Sequence, residues 1–366
     1  MSGIWIKALL ALAIGTVFSG TAIAQTIKPA PVAESTDANG VSLLARNATF
    51  REPSVGIGPK GAGGLYFEHS RKLNALGLTY TGTSSYPHFS WVGSNFYGYL
   101  SGRSTVGPEI ATLGGSTYVP GNDGSSLVMV SGKYVFTTAD GTRATYDPAL
   151  NNTLPIWGDS PPEGILVDEP LGLYAWITKL EKPDGEVITW NYVNVLVTGT
   201  SGYGFRLQSV TNNLGYQIHF KYRRDDLPDV AALTDFMDVE KITAIDNAVY
   251  ACSPTAFSCS DSTGADWPYL LYGGPSATAR TVTDRLGNVT SYNYSQVDFY
   301  HFDLVGIRSP ASPSTDDIAI TSGPATLNLT ISGVAWAYSY DSFNGTTTVT
   351  GPNSYSRLVQ RAIAPG

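Results

Sequence analysis

The sequence predicts an all-β protein, an array of antiparallel β-hairpins with few short helices. Three observations predict it. One strand–turn–strand unit recurs in the second half of the chain, each time around a glycine. Within each unit apolar and polar residues alternate, the period of a strand with one buried face. The composition also suits ribbons: of 366 residues 39 are glycine and 3 are methionine, with 11% aromatic and 14% charged. An ordinary soluble domain carries roughly 25% charged residues.

The units are Ile177 to Tyr192, Leu207 to Tyr222 and Ala279 to Tyr294, which align without a gap on Gly185, Gly215 and Gly287. An apolar residue lies five before the glycine (Leu180, Val210, Val282), and Ile188, Ile218 or Thr290 lies three after. An aromatic lies five after (Trp190, Phe220, Tyr292) and a tyrosine seven after (Tyr192, Tyr222, Tyr294). The even positions, Thr189 and Asn191, His219 and Lys221, Ser291 and Asn293, are polar and face outward, so His219 reads as a solvated surface histidine. The glycine supplies the positive φ of a tight turn. A looser copy surrounds Gly333, with Trp336, Tyr338 and Tyr340, and a partial one surrounds Gly141, with Ala144 and Tyr146. Burying one large side chain gains roughly 1.5–3 kcal/mol. A lone hairpin cannot bury its rings, so copies must lie side by side.

In chain order, residues 1–24 read as a secretory signal: Lys7, an apolar stretch from Ala8 to Phe18, then the small triplet Ala22-Ile23-Ala24. The stretch is short for a membrane span, and no later run is longer or more apolar. Cleavage leaves 366 − 24 = 342 residues, and the loss of Lys7 takes the net charge from −8 to −9. The mature chain is therefore expected to be exported, in the periplasm, at the cell surface or secreted, with no membrane span. Its acidity argues against a nucleic-acid partner. Residues 25–48 read as a flexible lead-in and 49–150 as an N-terminal β region of short strands broken by Gly, Pro and Asn122-Asp123-Gly124. Residues 151–172 are a Pro-rich connection, and 173–366 hold the hairpins, interrupted by an insertion at 223–272. That insertion carries a short helix near 229–242 and the pair Cys252 and Cys259. In an exported chain so close a pair reads as a disulfide closing a short loop. The competing reading, half a metal site, needs further ligands, and His69, His88, His219 and His301 are scattered singly.

The hairpins PDGEVITWNY, NLGYQIHFKY and DRLGNVTSYNY resemble the YD repeats of RHS-repeat proteins, a glycine turn followed by alternating aromatics that end in tyrosine. GGLYFEHSR, NFYGYLSG and SGKYVFTTADGTRATYD resemble the segment leading into those repeats in bacterial members. The resemblance covers most of residues 60–350. It implies a spiralling hairpin sheet, here a partial shell, because the copies are few. Bacterial members often enclose a C-terminal toxin, and animal relatives are adhesion proteins. The chain thus resembles a partial or truncated bacterial member, with the rest of a repeat shell or another chain expected at the open C-terminal sheet edge.

No catalytic motif stands out. Gly199-Thr200-Ser201-Gly202 ends in Tyr203 where a nucleophile elbow needs glycine, and Gly158-Asp159-Ser160 runs into Pro161-Pro162. Phosphate-cradling loops, H-E-x-x-H and dinucleotide fingerprints are missing, and no cofactor is implied. The carboxylates Glu163, Asp168 and Glu169, Asp225 and Asp226, and Asp316 and Asp317 read as solvated loop residues. The expectation is a non-enzymatic exported scaffold for encapsulation, surface display or adhesion, with the N-terminal part of a toxin-delivery protein as a further reading. The alternative is a carbohydrate-binding module or carbohydrate-active enzyme, with glycans meeting an exposed ring such as Trp91 or Trp157.

Overall fold

The structure is a computed structural model. It describes residues 36–43, 47–60, 63–67, 70–74, 99–101, 126–150, 156–157, 166–167, 174–197, 203–222, 229–230, 239–259, 267–276, 278–296, 302–312, 314–323, 325–341 and 343–360. The segment 1–24 lies outside these.

Among the described residues, seventeen antiparallel strands follow one another in a single meandering sheet. The first are Ser126–Val130, Lys133–Thr137 and Arg143–Asp147, and then Tyr174–Glu181, Val187–Val197, Tyr203–Asn212 and Tyr216–Tyr222. They continue through Val239–Asp246, Tyr269–Ser276, Ala279–Asp284, Val289–Gln296, Phe302–Arg308, Ile318–Gly323 and Thr326–Ile331. Val334–Asp341, Thr346–Thr350 and Ser356–Gln360 complete it. The expected all-β class is correct. The ladders do not join the ends: among the described residues Ser126–Val130 pairs only with Lys133–Thr137, and Ser356–Gln360 only with Thr346–Thr350.

Local chemistry makes the turns. At Gly185 and Gly287 the residue three before the glycine accepts its N–H, as in Gly185 N to Lys182 O at 3.0 Å, and the glycine takes φ of +90° and +80°. Gly215 repeats this with φ +93°. This is a type I turn closed by a left-handed glycine, a three-residue hairpin loop. The Gly333 hairpin instead closes with only Ser332 and Gly333, both at positive φ (+49° and +82°). One loop residue fewer shifts its first arm by one position, which explains the looser alignment.

One face of this sheet is the core. Trp190, Phe220, Tyr292, Tyr338, Tyr222, Tyr294 and Tyr340 are buried there with Leu180, Val210 and Val282, as are Ala144 and Tyr146 of the Gly141 copy. The part of the lead-in within the described residues is not a flexible linker. From Thr36 onward the chain packs against this face, with Val41, Leu43 and Ala48 buried. Val41–Ser42, Asn47–Arg51 and Ser70–Asn74 make a small sheet, and Val55–Ile57 pairs with Leu65–Phe67. The helix expected near 229–242 is also corrected in part: Asp229–Val230 and Val239–Asp246 are strands, and 231–238 lie outside the described residues. Val239 and Ile242 are pulled into strand geometry because they oppose Tyr222 and Phe220 on the core face.

Candidate functional site

The repeat hairpins share a geometry finer than their alternation. In each, the strand paired with the second arm carries one extra residue immediately after the partner of the final tyrosine. Asn191 and Tyr192 face Ser209 and Leu207, skipping Gln208. Lys221 and Tyr222 face Lys241 and Val239, skipping Glu240. Asn293 and Tyr294 face Gly306 and Leu304, skipping Val305. The bulge lets apolar residues three apart share the core face: Leu207 with Val210, Val239 with Ile242, Leu304 with Ile307, all buried. That spacing of three, inside strands otherwise of period two, is the sequence signal for the bulges.

The hairpin arms also splay. Around Gly185 and Gly215 they pair only through Lys179 to Glu181 with Val187 to Thr189, and Ser209 to Thr211 with Gln217 to His219. Beyond that the last tyrosine bridges the gap: Tyr192 donates its hydroxyl to Ile177 O at 2.9 Å, and Tyr222 donates to Leu207 O at 2.6 Å. Both acceptors lie fifteen residues before their donors. Around Gly287 the arms remain paired out to Ala279 and Asn293, and Tyr294 N donates to Thr278 O. Burial pushes the Tyr192 phenol well above its ordinary range, so it stays a protonated donor.

An N-terminal strap crosses the core face. Asn212 Nδ2 donates to Gly63 O at 2.6 Å, Phe67 meets Phe220 edge-on at 5.8 Å, and Tyr272 Oη lies 3.4 Å from Glu52. Further along, Thr347 Oγ1 donates to Leu43 O at 2.6 Å. Tyr338 donates to Asp37 Oδ2 at 2.6 Å and accepts from Asn39 Nδ2 at 2.7 Å. Burial and the Asp37 carboxylate raise the Tyr338 pKa. Gly63 has φ +84°, and a Cβ there would sit 2.2 Å from Leu214 Cδ1, so the strap's turn needs glycine to approach the Gly215 hairpin. Period-two analysis cannot find these contacts, because they join residues from 149 to 304 positions apart.

The opposite face carries the insertion. Cys252 and Cys259 form the expected disulfide. The loop they close lies over His219, which is 3% exposed rather than solvated. Loop carbonyls take the outward donors: Ser209 Oγ donates to Pro254 O at 2.6 Å, His219 Nε2 to Ala256 O at 2.8 Å, and Gln208 Nε2 to Phe257 O at 3.5 Å. Gln208 Nε2 also reaches Phe220 O at 2.5 Å. The outward register of His219 is as expected, and a long-range loop covers it. Burial lowers its pKa below the ordinary value, opposed by the Ala256 bond. The guanidinium of buried Arg206 sits 4.1 Å from the Tyr222 ring centroid and 5.9 Å from that of Phe257.

Of the carboxylates weighed from sequence, Asp316 and Asp317 are described. Asp317 Oδ2 accepts from Ser309 N at 2.5 Å, closing the loop between them, and Asp316 Oδ1 accepts from Asn293 Nδ2 at 2.8 Å, tying that loop to a neighbouring strand. Hydrogen bonds from Ser309 and Ser312 lower the Asp317 pKa. Glu163, Asp168, Glu169, Asp225, Asp226, Ser160, Ser201, His69, His88, His301 and Trp91 lie outside the described residues. Trp157 lies in the short strand Ile156–Trp157, paired with Leu166–Val167. No helix among the described residues is long and apolar enough to cross a membrane. No family model matches this chain, and no curated protein matches it.

Proposed function

We propose that the chain is an exported, non-enzymatic β scaffold of the RHS/YD-repeat kind, working at the cell surface in display or adhesion. The observation that carries this reading is the recurrence of one construction at Gly185, Gly215 and Gly287: the same loop, the same inward rings, the same bulge before the last tyrosine. A module that stacks on copies of itself is built for extended surface rather than for a single reaction centre. Of the roles such a scaffold has, enclosing cargo is the less favoured, since the chain's own strap, from Asp37 to Phe67, lies on the core face. The remainder of a shell or another chain would pair at Ser356–Gln360, where Leu358 is exposed. Protease shaving of intact cells, with an antibody to the chain, tests the reading. Loss of signal is expected, and a chain retained inside with residues 1–24 uncleaved would overturn it.

A second reading is glycan binding. Trp336 and the half-exposed Tyr355 make an edge-on pair at 5.7 Å near the sheet's last strands, rings of the kind that stack on sugars. A glycan array with wild type and Trp336→Ala separates the two. Saturable binding lost in the variant supports this second reading, and a blank array removes it.

A further inference from the structure

The three side chains His219, Cys252 and Cys259 place one ligand atom each within 4.8 Å of one another. They come from two elements far apart in sequence, a repeat strand and the inserted loop, and the repeat reading gives them no role. We propose that they form a latent site for a soft d10 cation, Zn²⁺ or Cu⁺, that becomes available when the disulfide is reduced.

The loop's position does not depend on the sulfur–sulfur bond alone. Its carbonyls at Pro254 and Ala256 are docked on Ser209 and His219. Its base is held by Asn247, whose N–H donates to Gly215 O at 2.8 Å, whose Nδ2 donates to Gln217 Oε1 at 2.9 Å, and whose Oδ1 accepts from Cys252 N at 3.2 Å. Opening the disulfide therefore leaves both thiols beside the imidazole. The ring is also prepared. Ala256 O can only accept, so the contact at 2.8 Å keeps the proton on Nε2 and leaves the lone pair on Nδ1. An imidazole whose second nitrogen donates to a backbone carbonyl is the usual outer-shell arrangement of a metal-bound histidine. Tetrahedral zinc with Zn–S near 2.3 Å sets two sulfurs about 3.8 Å apart. From a disulfide that is a separation of under about 2 Å, within reach of side-chain rotation. Two thiolates and one imidazole are three protein ligands, with the fourth position left to water.

The steps balance. A dithiol reductant passes two electrons and two protons to the Cys252–Cys259 bond and is itself oxidised to a disulfide, giving two thiols. Zn²⁺ then replaces the two thiol protons, which leave to solvent. In an oxidising compartment the bond holds and the site stays closed.

The test uses the purified mature chain, oxidised or reduced under argon with a phosphine, titrated with Zn²⁺ against a chromophoric chelator while circular dichroism follows the β signal. One zinc per reduced chain and none per oxidised chain are expected, with thiolate-to-metal absorption on substituting Co²⁺. Cys252→Ser and Cys259→Ser should each abolish that absorption. His219→Gln, which keeps a donor for Ala256 O but loses the imidazole, should weaken zinc by more than about tenfold. A reduced chain that binds no zinc, folded or not, overturns the proposal. Equal binding by the oxidised chain overturns it too, as does an unchanged affinity and cobalt spectrum in His219→Gln.

Discussion

Removing one oxygen atom, Tyr222→Phe, tests the splayed hairpin most directly. The Tyr222 hydroxyl donates to Leu207 O at 2.6 Å, with Tyr222 1% and Leu207 6% exposed, where no strand pairing continues between the arms. The variant leaves that buried carbonyl without its donor. Losing a net hydrogen bond costs about 0.5–1.5 kcal/mol and orphaning a buried acceptor about 1–3 kcal/mol, so the expected cost is about 1–3 kcal/mol. The comparison is Tyr146→Phe, also on the core face of a repeat copy. The Tyr146 hydroxyl is buried and has no hydrogen-bond partner among the described residues, so deleting it should be neutral or stabilising by up to about 1 kcal/mol. Both rings keep their volume, so cavity effects cancel. Urea unfolding followed by tryptophan fluorescence reads the difference as a shift in midpoint at unchanged slope. A Tyr222→Phe midpoint equal to wild type, or a Tyr146→Phe loss as large as that of Tyr222→Phe, would refute the claim that the last tyrosine ties the arms together.

Three further outcomes follow from other parts of the molecule. Gly185, Gly215 and Gly287 have φ from +80° to +93° with open space where a Cβ would go, so alanine at each should cost the same, about 1–2 kcal/mol of backbone strain, read as matched drops in thermal midpoint. His219 has a folded pKa below its unfolded value near 6.5, so the unfolded state takes up the proton first as pH falls. Stability should therefore be flat above about pH 7 and fall below about pH 6.5, and His219→Gln should flatten that slope in urea midpoints measured between pH 8 and 5. Asp37 accepts from Tyr338 Oη, Asn39 N and Val41 N, so Asp37→Ala should destabilise by about 2–3 kcal/mol and speed amide exchange in the strap around Val41, read by mass spectrometry.

Much of the ribbon was legible. Trp190, Phe220, Tyr292 and Tyr338 share one buried face because alternation along a strand is a property of the backbone itself. The turns were legible for a similar reason, since Gly185, Gly215 and Gly287 sit in left-handed geometry that strains any residue carrying a Cβ. The site was legible only in fragments. Cys252 and Cys259 read correctly as a pair. His219 was placed on the right face and given the wrong environment, because nothing near it in the chain announces that Ala256 will lie over it. The bulges left a trace, the apolar pairs three apart such as Val239 and Ile242, which period-two analysis passes over.

The amino-acid order alone determined where the ribbon folds back and which side of it is greasy. Those choices rest on steric limits and side-chain alternation between residues a few positions apart. Only the tertiary structure decided what each side meets: Asp37 against Tyr338, Gly63 against Asn212, the inserted loop against His219. Such encounters depend on how the twisted, bulged strands bring distant stretches together, and no short window of sequence encodes that geometry.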